Sequence, residues 1–196
     1  MNDYSEIINV LKKGEVAILP SDTIYGLFAD ALNIDAIKKV DDIKHSNKPH
    51  LILISNINML DRYVKNLSSL HKQVINKYWP GPLTILFEKS DLIPDELTKG
   101  SEYVGIRLPN NKMLIDLINE YDKPLLSTSA NITNEDVITN VNMLDKSIKD
   151  KVSFIYDGGT LNSVASTLIK IENDKIILLR EGSLASQIKE DFKNNI

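Results

Sequence analysis

Short apolar runs alternate with segments of helical periodicity along this chain, and that pattern leaves few folds open to it. The runs have the length of single buried strands, as in Val16–Leu19, Leu51–Ile54 and Leu83–Phe87. Because strands and helices take turns, we expect an α/β fold in which helices flank a twisted sheet around a central cleft. The last two predicted strands, 167–171 and 176–179, are close enough in sequence to form an antiparallel pair, so the sheet is expected to be mixed.

The composition removes several kinds of chemistry and of partner. The 196 residues contain no cysteine, which excludes disulfides, thiolate catalysis and cysteine-bound zinc. A formal net charge of −4 argues against coating a nucleic-acid backbone, since that binding depends on clustered positive charge. No apolar run has the length of a membrane span, and the first residues show no export signal. We therefore expect a cytoplasmic protein, not bound to membranes, with one domain over residues 1–196.

Polar clusters that directly follow predicted strands are the candidates for a functional site. The chain has no glycine-rich dinucleotide fingerprint, no phosphate-binding loop and no G-x-S-x-G motif. In open α/β sheets, ligands bind in the crevice outside the strand ends. Residues 38–50 carry a local charge of +2 from four lysines and two aspartates, which suits a polyphosphate. In strand 104–108, alternation turns Arg107 away from the apolar face, where a guanidinium suits capture of a carboxylate or phosphate.

Each cluster also has a purely structural interpretation. The sequence Pro20-Ser21-Asp22 is typical of a turn that caps a helix, with Thr23 and Tyr25 presenting hydroxyls at a strand end as the functional alternative. The segment 78–84, with its Trp and two prolines around a glycine, is typical of a rigid corner. The lysine-rich stretch would be a solvated helix face, and Arg107 would extend from the sheet surface into water. Single motifs do not decide between these interpretations.

Taken together, the clusters resemble the motifs of one known family. Their order and spacing are similar to those of the YrdC family, also called TsaC, the threonylcarbamoyl-AMP synthases. The resemblance runs from about Gly14 to Gly182 and implies a YrdC-like fold in the short, single-domain form of the family. The segments that carry it are Pro20–Leu27, Lys44–Pro49, Tyr78–Thr84, Val104–Pro109, Ser127–Asn131, Ser163–Thr167 and Leu178–Gly182.

The resemblance also implies a reaction and the residues that serve it. L-threonine, bicarbonate and ATP would give threonylcarbamoyl-AMP and pyrophosphate, and downstream tRNA-modifying proteins would use the adenylate. Catalysis would proceed by positioning and charge stabilisation, without a protein nucleophile. Mg²⁺ would enter with ATP, its protein ligands being left open. By resemblance, Thr23, Arg107, Ser129 and Ser166 would hold L-threonine, and Lys44, Lys48, Tyr103, Ser127, Asn131 and Arg180 would face ATP.

The chain departs from the family's motifs most clearly after Lys44. The family has a Lys-x-Arg region that ends in Lys or Asn, Pro and Leu, whereas the stretch 44–50 here is about two residues shorter and lacks the Arg. Lys48 supplies a point charge but not the planar fork of a guanidinium. Weaker ATP binding, or recruitment of His45, is our hypothesis for this region. Milder departures are Ser21, where Thr is usual, and Asn134, in a loop where the family has Ser-Gly.

Two other functions are compatible with the same fold. One is a non-enzymatic RNA-binding module. The acidic net charge argues against this alternative and makes direct binding of tRNA doubtful. The other is a related carbamoyl-transfer domain, which works inside larger proteins with cysteine-rich parts. This chain of 196 residues without cysteine lacks those parts.

Overall fold

A nine-stranded mixed sheet forms the centre of the computed structural model, which describes residues 3–133, 135–161 and 165–196. The strands among these residues are β1 (Ala17–Pro20), β2 (Tyr25–Asp30), β3 (Leu51–Leu53), β4 (Leu83–Glu88), β5 (Tyr103–Arg107), β6 (Leu125–Ser129), β7 (Phe154–Ile155), β8 (Thr167–Glu172) and β9 (Lys175–Arg180). Their order is β7-β1-β2-β6-β3-β5-β4-β8-β9. The pairs β1/β7, β3/β5 and β4/β8 are parallel and the others antiparallel, β8/β9 included. The predicted mixed α/β sheet is therefore confirmed.

Helices pack on this sheet through apolar faces. In α2, for example, Ala36, Ile37 and Val40 are buried, and the Asn33 side chain accepts the backbone N–H groups of the first turn. Over the described residues, no helix is both long and apolar enough to cross a bilayer. The helices are α1 (Ser5–Lys12), α2 (Ile34–Lys44), α3 (Ile57–Tyr63), α4 (Ser69–Tyr78), α5 (Asp95–Thr98), α6 (Lys112–Tyr121), α7 (Lys146–Lys149) and α8 (Ala185–Asp191), with a 3-10 turn at Val141–Met143.

The segment after Pro20 forms a hairpin, not the helix cap that its sequence favours. Ser21 Oγ accepts the backbone N–H groups of Thr23 at 3.0 Å and Ile24 at 3.1 Å, and this turn returns the chain as β2, antiparallel to β1. Every residue of β2 is buried. A strand buried on both faces shows no apolar and polar alternation, so its sequence does not show the period of two that would predict a strand.

Other differences from the sequence prediction concern short elements. The single helix expected over residues 141–148 is a 3-10 turn followed by the one-turn helix α7. The one-turn helix α5 is not predicted, because four residues carry no measurable helical period. Asn134 and the stretch 162–164, which completes the hydroxyl-rich segment before Ser166, lie outside the described residues.

One face of the sheet collects the polar side chains that follow from strand register. Residues paired directly across neighbouring strands share a face, and register pairs Leu51 with both Gly105 and Ser127. Gly26 pairs with Ser129 on the same face, and Arg107 follows Gly105 two positions later. A β-carbon on Gly105 would lie 3.3 Å from the side chains of Leu51 and Thr84, so glycine there keeps this face open beside Arg107. This polar side of the sheet is the floor of a cleft.

Candidate substrate site

The cleft consists of two connected pockets. The inner pocket, of about 230 Å³, is lined by Thr23, Arg107 and Ser166 together with the polar end of β6. The outer pocket, of about 300 Å³, is lined by Lys44, Lys48 and Asn131. The wall that belongs to both pockets consists of Pro49, His50, Thr128, Ser129 and Arg180. A ligand in one pocket therefore lies next to a ligand in the other.

Arg107 is the most firmly held cation of the inner pocket. Its side chain is buried, and its guanidinium donates to Gly81 O at 3.0 Å, to Thr23 Oγ1 at 3.2 Å and to the carboxylate of Asp22. Burial lowers the pKa of Arg107, and the facing Asp22 carboxylate opposes that effect. A guanidinium has five N–H donors, and two of those of Arg107 have no acceptor among the residues that the structure describes. The structure therefore presents a fixed, partly free guanidinium to the pocket.

Arg180 stands where the two pockets meet. Its Nε donates to Ser166 O and its Nη2 to Ser166 Oγ, both at 3.0 Å. Ser166 Oγ is also 2.9 Å from Thr84 Oγ1, which is fully buried. Burial and the nearby Arg107 lower the pKa of Arg180, so two cations face one small volume. This arrangement is suited to an anionic ligand, which relieves the repulsion between the two guanidinium groups.

The Trp-Pro-Gly-Pro segment is a corner, as its structural interpretation states, and the corner also holds Arg107. Trp79 Nε1 donates to Leu83 O at 2.7 Å, while Gly81 N donates to Leu108 O at 2.9 Å. The Gly81 carbonyl then accepts from Arg107 Nε. A β-carbon at position 81 would collide with the Tyr78 carbonyl oxygen, so the turn depends on glycine.

Lys44 joins the C-terminal end of α2 to the segment that follows β6. Its ammonium donates to Ser129 O at 2.7 Å, to Asn131 Oδ1 at 2.9 Å and to the Asn131 carbonyl. Burial lowers the pKa of Lys44 to about 8, with Lys48 adding to the decrease and Glu135 opposing it. An ammonium has three N–H donors, and these acceptors occupy all of them. Lys44 therefore holds the Ser129–Asn131 segment in place at the outer pocket.

The structure brings together most of the residues predicted from the sequence. Thr23, Arg107, Ser127, Ser129, Ser166 and Arg180 line the inner pocket, and Lys44, Lys48, Ser129, Asn131 and Arg180 line the outer one. Three candidate residues, His45, Tyr25 and Tyr103, line neither pocket. His45 caps the C-terminal end of α2 and lines neither pocket, and the hydroxyl of Tyr25 is bonded to the backbone of Gly158 and Gly159.

Tyr103 is the predicted ATP contact that the structure does not place in the cleft. It begins β5, four residues before Arg107 and so about 13 Å along the strand. Its ring instead faces the ammonium of Lys170, 4.1 Å from the ring centroid. Tyr103 and Arg107 lie on the same face of β5 because their numbers differ by four. Sequence spacing does not show, however, where along the strand the pocket ends. Tyr103 lines neither pocket, and its contact with ATP stays a prediction.

His50 is a pocket residue that the sequence analysis did not single out. Its side chain is 3% exposed, and its Nε2 lies 2.7 Å from Asp41 Oδ1. The other Asp41 oxygen pairs with Lys99. Burial lowers the pKa of His50, with Lys99 and Lys44 adding to the decrease and Asp41 opposing it. The signal for it was present, because this chain has His where the family motif after Lys-Pro has Leu.

No group of three or more acidic or histidine side chains within the described ranges 3–133, 135–161 and 165–196 is arranged to hold a metal ion. Asp22 lies between the lining residues Ser21 and Thr23, and its carboxylate accepts from Arg107 and from the backbone N–H of Asn110. The donor set of the cleft, as described, therefore suits anions and not a bare cation.

Comparisons with known proteins agree on one family. The family Sua5_yciO_yrdC, described as "Telomere recombination", matches residues 9–182. A Methanocaldococcus jannaschii protein to which threonylcarbamoyl-AMP synthase activity is ascribed is 40% identical over 192 residues, which is 94% of this chain and 90% of the relative. The threonylcarbamoyl-AMP synthase of Bacillus subtilis is 31% identical over 91% of this chain, which spans about half (53%) of that longer protein.

Solved structures show the same fold. The crystal structure of Pyrococcus abyssi Sua5 complexed with L-threonine superposes with a TM-score of 0.90 at 28% identity, over 95% of this chain and 56% of that one. Escherichia coli YciO, at 20% identity and a TM-score of 0.82, shares the fold over 90% of this chain and 87% of that one. The nine-stranded sheet with helices on it is therefore the YrdC-like fold that the resemblance implied. With the family's motifs gathered around one cleft and its model matched over most of the sequence, this chain belongs to the Sua5_yciO_yrdC family.

Proposed function

We propose that this chain is a threonylcarbamoyl-AMP synthase, a nucleotidyltransferase that condenses L-threonine, bicarbonate and ATP. The arrangement of the two pockets is the observation that carries the proposal. A small pocket lined by the buried guanidinium of Arg107 and by that of the more exposed Arg180 adjoins a second pocket that Lys48 lines, and Arg180 belongs to both. The similarity to threonylcarbamoyl-AMP synthases over about nine tenths of the chain supports it.

L-threonine would occupy the inner pocket. Its carboxylate would pair with the free N–H groups of Arg107, with the hydroxyls of Thr23, Ser129 and Ser166 around the rest of the molecule. A volume of about 230 Å³ is smaller than the pockets of drug-sized ligands and suits an amino acid. The L-threonine complex of the Pyrococcus abyssi relative supports this choice of ligand.

ATP would extend its phosphates through the outer pocket. Lys48 and Arg180 would neutralise triphosphate charge, and Ser127 and Asn131 would offer polar groups at the end of β6. Mg²⁺ would be bound mainly by phosphate oxygens and water, as is common for this ion. When bound, it would neutralise charge on the leaving pyrophosphate.

The chemistry requires alignment and no protein nucleophile. The amine of L-threonine and bicarbonate form a carbamate, and a carbamate oxygen attacks the α-phosphorus of ATP while the bond to pyrophosphate breaks. Both reactants are anions and repel each other in water. Arg180, on the wall common to both pockets, would lower that repulsion at the place where they meet.

The direct test is pyrophosphate release by the purified protein. We expect release when ATP, L-threonine and bicarbonate are all present, and formation of threonylcarbamoyl-AMP in equal amount. Release that continues without L-threonine and bicarbonate would mean ATP hydrolysis and reject the proposal. Other proteins would consume the adenylate in tRNA modification in the cytoplasm. Binding of tRNA by this chain itself, measured on filters at increasing salt, is expected to be weak because the net charge is −4.

A further inference from the structure

We infer that His50 accepts the proton that the substrate nitrogen loses when the carbamate forms. The inference rests on the proposed function and goes beyond it, because it assigns a base to a reaction that otherwise depends on positioning alone. It starts from a buried histidine on the wall between the two pockets.

The proton balance of carbamate formation requires an acceptor. The nitrogen of L-threonine enters as an ammonium and leaves as N–H, so it gives up two protons. Its lone pair forms the bond to the bicarbonate carbon, and a carbon–oxygen bond of bicarbonate breaks. One proton leaves with that oxygen as water, and the second needs a base close to the nitrogen.

The inner pocket offers one side chain that can take this proton. Arg107, Arg180 and His50 are the titratable side chains on its described lining, and arginine is always protonated. Lys44 and Lys48 line only the outer pocket. The ammonium of Lys44, whose pKa of about 8 keeps it mostly protonated at neutral pH, donates to Ser129 O, Ser129 Oγ, Asn131 O and Asn131 Oδ1. His50 is the remaining candidate.

The contacts of His50 fix which ring nitrogen is basic. Asp41 accepts from Lys99 and is a carboxylate, so Nε2 of His50 must carry the hydrogen in their 2.7 Å contact. The lone pair then lies on Nδ1, and the 2.7 Å contact of Nε2 is the one side-chain hydrogen bond of His50 among the described residues. Burial, with the positive charges of Lys99 and Lys44, lowers the pKa of His50 below its ordinary value of 6.5 although Asp41 opposes this, so the ring is neutral at neutral pH. Once the ring takes up a proton, Asp41 stabilises the imidazolium that forms.

The experiment compares three variants in the pyrophosphate assay. His50→Ala is expected to slow threonine-dependent release about 100-fold or more, the usual contribution of a positioned base. His50→Gln keeps a donor for Asp41 and an acceptor for the pocket but cannot take up a proton, so it should be as slow as His50→Ala. His45→Asn is the matched control, because His45 lines neither pocket and Asn tolerates its left-handed backbone, with φ 48°.

Two further measurements separate a base from a structural residue. Added imidazole should restore part of the forward rate of His50→Ala and leave the wild type unchanged. The reverse half-reaction, in which threonylcarbamoyl-AMP and pyrophosphate return ATP, has no amine to deprotonate and should change less than about threefold in both variants.

The outcomes are distinct from those of the proposed function. If the wild type fails to release pyrophosphate, the proposed function falls, whatever the variants do. If the wild type is active and His50→Gln matches it, or if forward and reverse rates of both variants fall together, His50 is not the base. A fold check by circular dichroism accompanies each variant, and His50→Gln serves where His50→Ala does not fold.

Discussion

Arg107 offers its ligand the two N–H groups that Gly81, Thr23 and Asp22 leave free. We expect Arg107→Lys to raise the KM for L-threonine about 10- to 100-fold, because a charge-assisted hydrogen bond contributes roughly 1.5–3 kcal/mol. Lysine keeps the charge but not the planar fork, so the ion pair with Asp22 and the fold should largely survive. The measurement is the dependence of pyrophosphate release on L-threonine, with thermal unfolding as the control for folding.

An unchanged KM for L-threonine in Arg107→Lys would show that the carboxylate is held elsewhere. Arg180 would then be the alternative, since it lines the same pocket. A parallel rise in the KM for ATP would instead indicate that the variant had disturbed the whole cleft.

Lys44 and Lys48 allow a matched pair of substitutions. Lys44→Ala leaves the carbonyls of Ser129 and Asn131 without their donor, and we expect it to lower the free energy of unfolding by about 1–3 kcal/mol. Lys48 is exposed, so Lys48→Ala should change stability by less than about 0.5 kcal/mol. Both variants should raise the KM for ATP. Lys44→Ala would do so because the segment Ser129–Asn131 loses its support, and Lys48→Ala because the outer pocket loses a positive charge. Urea unfolding and ATP titration check the two expectations.

If neither variant changes the KM for ATP, the shortened lysine region does not serve the nucleotide, and our hypothesis for it fails. If Lys44→Ala is as stable as the wild type, its ammonium does not hold the segment after β6. The two results are independent, since one concerns the ligand and the other the fold.

At the scale of elements, the end of β9 depends on a close backbone approach. A β-carbon on Gly182 would lie 2.5 Å from Ala165 O and from Thr167 N, and backbone atoms cannot give way as a side chain can. We expect Gly182→Ala to cost about 1–3 kcal/mol of stability, because the added methyl group would push the segment 165–167 away. Substrate binding should weaken too, since that segment contains Ser166, which accepts from Arg180.

The control for Gly182→Ala is Gly100→Asn. Gly100 has φ +80° with open space around its added β-carbon, and Asn tolerates such a backbone, so stability should stay close to that of the wild type. Differential scanning calorimetry and the pyrophosphate assay on both variants decide the matter. If Gly182→Ala melts at the same temperature as Gly100→Asn, the chain at Gly182 can move away from Ala165 and Thr167 without loss of stability.

Elements with a clear period could be predicted from the sequence, and fully buried or very short ones could not. The helix Lys112–Tyr121 and the strand Tyr103–Arg107 follow from spacing because one face of each is apolar. The strand Tyr25–Asp30 is buried on both faces, so its sequence carries no alternation. Helix α5 has too few residues for a period.

The site was predictable as a set of motifs but not as a geometry. Strand alternation predicts that Arg107 faces the polar side of the sheet. The hydrogen bonds that occupy the ammonium of Lys44 could not be predicted, because their acceptors belong to Ser129 and Asn131, more than eighty residues away in sequence. Tyr103 shares the face of Arg107 but lines neither pocket. His50, directly before β3, lines both pockets and contacts Asp41 of α2. Such distances between elements arise from tertiary packing, which no local pattern encodes.

At the scale of the whole molecule, the charge of the cleft has the opposite sign to the net charge of the chain. The chain carries −4 overall, yet the described linings of the two pockets contain four cations, Lys44, Lys48, Arg107 and Arg180, and no carboxylate. A cleft of one sign within a protein of the other sign concentrates small anions without attracting a polyanion to the whole surface. This contrast fits substrates of the size of ATP and L-threonine better than it fits tRNA.

The stability of the whole molecule should depend on two buried histidines. Burial lowers the pKa of both His50 and His71 from the ordinary value of 6.5, so in this range the unfolded chain binds protons that the folded chain does not. The free energy of unfolding should therefore be fully present above pH 6.5 and fall as the pH drops below it. Each histidine contributes up to about 1.4 kcal/mol per pH unit until the pH reaches its folded-state pKa.

His71 allows this dependence to be tested outside the cleft. It stacks on Phe87 with ring centroids 5.2 Å apart and closes a capping box with Ser68 at the start of α4. His71→Gln keeps a side chain suited to that capping position but removes the titration. We expect urea unfolding at about pH 7.5 to be similar in wild type and variant, and the loss of stability on going to about pH 5.5 to be smaller in His71→Gln. An identical loss in both would assign the acid sensitivity to other groups, because the burial of a neutral imidazole would then contribute nothing to it.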